Sequence, residues 1–225
     1  MKSNRYAVVV AAGSGKRMGA PLPKQFLPIA DKPLVMHTLE RLHAFDSEMN
    51  LLLVLHPDYM TYWNECVLQH GFEMTHSVVA GGEERFHSVK CALNAIVDMN
   101  AVVGVHDGVR PFVSFETLAR CYEQAETGGT AVPVIAVNDS LREVIGVTNR
   151  AVERSQFRIV QTPQCFRMDI LRSAFHQPYS PAFTDDASVV EAAGYSINLV
   201  EGNRDNVKIT TPEDLLRAEW LLGRA

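Results

Sequence analysis

The residues best suited to chemistry stand in four short segments. Near the N-terminus Ala11-Ala12-Gly13-Ser14-Gly15-Lys16-Arg17-Met18-Gly19 leads into Pro23-Lys24-Gln25. Farther on come Gly81-Gly82-Glu83-Glu84-Arg85-Phe86-His87-Ser88, His106-Asp107-Gly108-Val109-Arg110-Pro111, and Asn206-Val207-Lys208-Ile209-Thr210. Small residues let a backbone approach a ligand and turn its N–H groups toward an anion. Lys16, Arg17 and Lys24 add positive charge to the first segment, so the chemistry it suits is phosphate binding. Two common phosphate motifs fail on spacing. Arg17 follows Lys16 where a P-loop needs Ser or Thr for magnesium, and Met18 stands where the third glycine of G-x-G-x-x-G belongs.

The charge of the whole chain limits the partners. There are 21 basic against 26 acidic residues in 225, a net charge of −5, so a nucleic-acid polymer is a poor partner. A local basic cluster can still hold a small anion. The composition, 47% hydrophobic and 21% charged, is that of a folded chain of one domain or one domain with an appendage. Cys66, Cys91, Cys121 and Cys165 form no C-x-x-C pair and read as reduced core thiols. No apolar run approaches a membrane span. Lys2 and Arg5 before Tyr6–Ala12 loosely imitate a signal peptide, but the run is short and opens straight into the glycine-lysine segment. A cytoplasmic location, without membrane contact, is the expectation.

Strand and helix patterns alternate along most of the chain. Strands are expected at 7–11, 51–55, 74–79, 101–106 and 130–137. Helices are expected at 34–45, 58–70 (ended by Gly71), 84–99 (with a stripe of Val89, Leu93, Ile96 and Val97) and 115–127. Strands apolar on both faces and separated by helices imply an α/β fold, a Rossmann-like, mostly parallel sheet covered on both faces. Ligands sit beyond the carboxyl ends of such strands, which brings the first three segments to one edge. The rhythm breaks after Asn138: the charged stretch 139–157, with strand-like pieces around Gly146 and Asn149, reads as a protruding β-hairpin arm. Helices near 168–175 and 184–193, strands at 196–200 and 206–209, and a helix from Thr211-Pro212-Glu213-Asp214 complete the pattern. That last start combines an N-cap Thr, Pro at N1 and acids in the first turn.

The A-A-G-x-G-x-R-M loop followed by P-K-Q resembles the signature of nucleotidyltransferases that act on sugar or polyol phosphates. Together with the three other segments and Thr184-Asp185-Asp186-Ala187-Ser188, it resembles the 2-C-methyl-D-erythritol 4-phosphate cytidylyltransferase family of the non-mevalonate isoprenoid pathway. The resemblance runs from Val8 to the last helix. It implies one nucleotidyltransferase catalytic domain over 1–225, with a dimerisation arm at about 138–157. It also implies attack of a polyol phosphate on the α-phosphorus of CTP, with magnesium carried by the CTP phosphates and no metal held by the protein alone. A ribitol or glycerol phosphate acceptor is the alternative.

Roles follow position by position from the same resemblance. Arg17 and Lys24 match the cations that stabilise the transition state, and Arg154 and Lys208 those that position the acceptor phosphate. Ala11, Ala12, Gly13 and Gly15 match the nucleotide cradle. Gly82, Glu83 and Ser88 match the residues that recognise cytosine and ribose, and Asp107 and Gly108 the edge facing the ribose and reacting phosphates. Ser140 and Thr184 match hydroxyl positions near the polyol. The arm with Ser140 and Arg154 is expected to reach the other site of a homodimer. Glu83 and Ser140 depart from the family's usual Asp and Thr, Gly108 from alanine, and Val10 from a frequent proline. Apart from the resemblance, His106 reads as a packed strand residue, Arg110 as the partner of an acid such as Asp107, and Lys208 as a buried lysine in need of an anion.

Overall fold

Alternating apolar residues on the first strands face two different helical layers, and the architecture follows from that. The computed structural model describes residues 3–13 and 22–223. In chain order the elements are β1 (Arg5–Ala11), β2 (Pro28–Ile29), β3 (Lys32–Pro33), α1 (Leu34–Phe45), β4 (Asn50–Leu55), α2 (Met60–Gln69), β5 (Ser77–Ala80), α3 (Arg85–Ala95), β6 (Val102–Asp107), α4 (Phe115–Gly128) and β7 (Thr130–Ala136). Then come β8 (Leu141–Ile145), β9 (Thr148–Val152), β10 (Arg158–Val160), β11 (Gln164–Arg167), α5 (Met168–Ala174), α6 (Asp186–Ala192), β12 (Leu199–Glu201) and α7 (Pro212–Leu222).

The central sheet has the order β10-β7-β11-β6-β1-β4-β5, with β12 also paired to β7. The half from β6 to β5 is parallel. Ala7, Val9, Ala11, Leu51, Leu53 and Leu55 pack with side chains of α1, α2 and α4, among them Leu39, Trp63 and Tyr122. Val8, Leu52 and Val54 pack on the other side with Phe86, Val89 and Leu93 of α3, Leu171 of α5 and Val190 of α6. This is the period-2 alternation of a sheet buried on both faces. The sequence-based α/β expectation, with helices on both faces, therefore holds. Among the described residues no helix is long and apolar enough to cross a membrane.

Several local expectations need correction. β11 enters antiparallel between β6 and β7, and β10 continues along the same flank of β7, so the β7 half of the sheet is mixed. α3 stops at Ala95, not Met99. Ile96 turns extended, and Arg172 caps this end by donating to the carbonyls of Leu93 and Ile96. Val97 therefore leaves the predicted apolar stripe and is 87% exposed. Residues 206–209 do not form a strand: this segment's backbone is held by Asn206 N–H to Asn203 O and by Ile209 N–H to Val109 O. β5 begins only at Ser77, and β12 covers 199–201.

The stretch after Asn138 folds as expected into an antiparallel ribbon, β8 with β9, outside the central sheet. Its Val144, Ile145 and Val147 are exposed. α7 starts with the expected cap: Thr211 accepts the Asp214 N–H, Asp214 reaches back to the Thr211 N–H, and Pro212 is at N1.

Candidate active site

Four parallel strands end side by side at the site. Ala11 of β1 is in register with Leu55 of β4, and Leu55 with Ala80 of β5, while Asp107 of β6 lies opposite Val10 on the other flank of β1. Beyond these ends opens a cavity of ≈ 520 Å³.

The cradle at the end of β1 is held from beneath by Gln25. This side chain is 2% exposed and donates from Nε2 to the carbonyls of Ala11 (2.6 Å) and Gly13 (3.0 Å). The second loop is tied to the sheet by the Gly81 N–H, which donates to Leu55 O at 2.7 Å. It can approach the first only because Gly81 has no side chain: a Cβ there would lie 2.8 Å from both Ala12 Cβ and Ser88 Oγ. Ser88 Oγ then accepts the Gly82 N–H at 3.2 Å, which fixes the loop against the first turn of α3.

Asp107 is the electrostatic centre. Its carboxylate is 3.0 Å from Arg110 Nε, 3.1 Å from Lys208 Nζ and 4.0 Å from Arg85 Nε. Burial pushes the carboxyl up, but the charges of Lys208, Arg85 and Arg110 outweigh it and hold the group well below the usual carboxylate range. Arg85 continues the chain of charge to Asp186 at 2.6 Å. Burial there keeps the Asp186 carboxyl above its usual range despite the arginine. Lys24 Nζ donates to Ile209 O at 3.2 Å, which places a second ammonium near the Lys208 segment.

His106 has no opening to the cavity. It is fully buried, with Nε2 on Arg110 O and Nδ1 on Thr162 Oγ1, both at 3.0 Å, and burial lowers its pKa to about 4, against the pull of Asp107. It is a packed strand residue, as expected. The Thr162 hydroxyl also accepts the Asp107 N–H at 3.1 Å, and Asn206 Nδ2 donates to Thr162 O at 2.8 Å. The backbone around Asp107 is thus fixed from both sides.

Of the residues singled out from sequence, Ala11, Ala12, Gly13, Lys24, Gly82, Glu83, Ser88, Asp107 and Lys208 line the one cavity. Gly108 lies behind it: its N–H donates to Val10 O, and a Cβ there would be 3.0 Å from Ala11 Cβ. Ser140, Arg154 and Thr184 are exposed and are not part of the lining; Arg154 donates to Asn138 O. Gly15, Lys16 and Arg17 lie outside the described residues. Lys208 is not the buried lysine expected. Its side chain is 40% exposed, and the anion it meets is Asp107. Gln25, Arg85, Asp186 and His56 took no part in the sequence-based site, although Gln25, Arg85 and Asp186 stand inside the quoted motifs.

A crevice of this kind holds a polyanion between backbone donors and ammonium groups, with an ionised carboxylate at its floor. Among the described residues no group of three or more His, Cys, Asp or Glu could hold a metal ion.

Known proteins resemble this chain over nearly its whole length. The family model described as 2-C-methyl-D-erythritol 4-phosphate cytidylyltransferase matches residues 6–224. The protein of that name from Bacteroides fragilis is 51% identical over 97% of this chain and 99% of its own length. The crystal structure so named from Thermus thermophilus is 34% identical, with a TM-score of 0.75 over 97% of this chain and 98% of that one. The one from Francisella tularensis is 29% identical, with a TM-score of 0.81 over 97% and 99%. A match of this length and identity, on a chain whose glycine loops and Asp107 converge in one cavity, means that the chain belongs to the 2-C-methyl-D-erythritol 4-phosphate cytidylyltransferase family.

Proposed function

We propose that the cavity transfers a cytidylyl group from CTP to 2-C-methyl-D-erythritol 4-phosphate, as the family's name describes. A phosphate oxygen of the acceptor forms a bond to the α-phosphorus of CTP while the bond to the β-phosphate oxygen breaks. Pyrophosphate leaves and CDP-methylerythritol remains. A phosphate monoester is already anionic near neutral pH, so the step needs positioning and charge stabilisation in place of a strong base. The observation that carries this reading is the convergence of the Ala11–Gly13 turn, the loop at Gly82, Lys24, Lys208 and the ionised Asp107 on one cavity.

In this reading Ala11, Ala12, Gly13 and Gly15 cradle the nucleotide, and Gly82, Glu83 and Ser88 face its base and ribose. Lys24 and Arg17 stabilise charge on the α-phosphate. Lys208 and Arg154 position the acceptor phosphate, with Ser140 and Thr184 near the polyol. Magnesium travels on the triphosphate. Mg²⁺ is usually held by one or two carboxylates plus substrate phosphates. The ion would supply charge neutralisation at the phosphates. The 138–157 arm of the catalytic domain would pair two copies and carry Arg154 into the neighbouring site. We place the activity in the cytoplasm, where CTP is at hand.

The test is incubation of the protein with CTP, magnesium and 2-C-methyl-D-erythritol 4-phosphate. Stoichiometric pyrophosphate and CDP-methylerythritol are expected. Folded protein that releases no pyrophosphate, or that turns over UTP as readily as CTP, overturns the assignment.

A further inference from the structure

His56 lines the same cavity, and none of the roles above uses it. The strand register says where it stands. Ala11, Leu55 and Ala80 are in register across β1, β4 and β5, so the next residues, Ala12, His56 and Gly81, leave the sheet side by side. Asp107 lies on the far flank of β1, two strand steps away, which is about 10 Å at the usual strand spacing. His56 is therefore placed between the two glycine loops, at the end of the cavity away from Asp107 and Lys208.

Its ring is oriented. Nδ1 accepts the Asp58 N–H at 3.3 Å, and this bond holds the ring; Asp58 Oδ2, 3.5 Å from the same nitrogen, makes no bond to it in that tautomer. When Nδ1 accepts, the neutral imidazole carries its proton on Nε2. The side chain keeps 44% of its surface exposed, and among the described residues Nε2 makes no hydrogen bond. Tyr59 stands edge-on to the ring at 6.2 Å between centroids.

We infer that His56 is a nucleotide-binding residue whose Nε2–H donates to an acceptor atom of the base or ribose of CTP, with Asp58 orienting the ring. The inference rests on the reading of the cavity as a CTP site and adds a specificity contact at its nucleoside end. The competing role is that of a cap: the same Nδ1 bond closes the turn at Pro57–Tyr59.

His56→Asn separates the two roles. An Asn side-chain oxygen accepts the Asp58 N–H as a cap does, but the residue has no group in the place of Nε2. Calorimetric titration of the full chain with CTP and magnesium is expected to show a Kd about tenfold weaker for His56→Asn, the loss of one hydrogen bond, with an unchanged melting temperature. Tripolyphosphate, which lacks the nucleoside, should bind wild type and variant equally. The inference is overturned if the variant binds CTP like wild type, or if it loses tripolyphosphate affinity to the same extent. Wild-type protein that binds CTP but gives no product with methylerythritol phosphate counts against the acceptor reading only, and the titration still decides the role of His56. Wild-type protein with no CTP affinity overturns both.

Discussion

Lys208 Nζ and Arg110 Nε approach the same oxygen of Asp107, at 3.1 and 3.0 Å, yet the two cations are built in differently. The Arg110 side chain is 12% exposed and also donates from Nη1 to Asn206 O at 2.8 Å, whereas the Lys208 side chain is 40% exposed and lines the cavity. Arg110 therefore belongs to the support of the site, and Lys208 to its working face. Lys208→Ala should lower kcat/KM for the polyol phosphate by about 10²-fold with little change in melting temperature. Arg110→Ala leaves a buried carboxylate short of a partner and should cost about 3 kcal/mol of stability. Pyrophosphate release and thermal melts of both variants check this. A Lys208 variant that unfolds easily but turns over normally reverses the assignment.

Gln25 makes a second, sharper case. Its two donor contacts hold the carbonyls of Ala11 and Gly13, the backbone of the proposed nucleotide cradle. Gln25→Leu keeps the bulk and removes both donors, for a stability loss of about 1–3 kcal/mol. The KM for CTP should rise about tenfold while KM for the acceptor stays within twofold, because the cradle and not the acceptor pocket is loosened. Equal rises in both KM values would place the effect elsewhere.

The parts legible in the sequence are those with a strong local signal. The buried runs of β1, β4, β6 and β7 and the caps of α7 depend on nearby residues, and the glycine loops announce themselves by composition. β10 and β11 were missed because Arg158–Val160 and Gln164–Arg167 are three and four residues long with no period to read; β11 is a strand because it fills the gap between β6 and β7, and β10 because it pairs with β7. The Arg85–Asp186 ion pair joins residues a hundred positions apart, and no spacing rule finds such a contact. Val97 misled for a related reason: its helical spacing is correct, but Arg172 takes over the end of α3 before that turn forms.

His106 makes the protein sensitive to acid. Both ring nitrogens are engaged by Arg110 O and Thr162 Oγ1, and burial lowers its pKa from 6.5 to about 4. A depressed histidine pKa means that the unfolded chain binds the proton more readily. Stability is full above 6.5 and declines as pH falls from 6.5 toward 4, by about 3 kcal/mol over that window. Asp186 works in the opposite sense, since its raised carboxyl pKa favours the folded state as pH falls. The difference between proteins is therefore the measurement to make. Urea unfolding of wild type and His106→Gln between pH 7.5 and 4.5 should show a flatter pH dependence in the variant. Parallel curves would mean that another group sets the acid limit.

The proposed crossing of the arm can be tested without a structure of the pair. Ser140 and Arg154 flank the β8–β9 ribbon, are exposed, and do not line the cavity of their own chain, whereas Lys24 and Lys208 do. If Arg154 serves the neighbouring copy, an Arg154→Ala chain paired with a Lys24→Ala chain forms one site with both defects and one with neither. Random exchange of equal amounts then restores about a quarter of the wild-type sites, because half the dimers are mixed and each has one intact site. Each variant alone should be nearly inactive. Pyrophosphate release after unfolding and refolding the mixture provides the readout. Activity that stays at the average of the two separate variants would place Arg154 in the site of its own chain and remove the reason for the arm to cross.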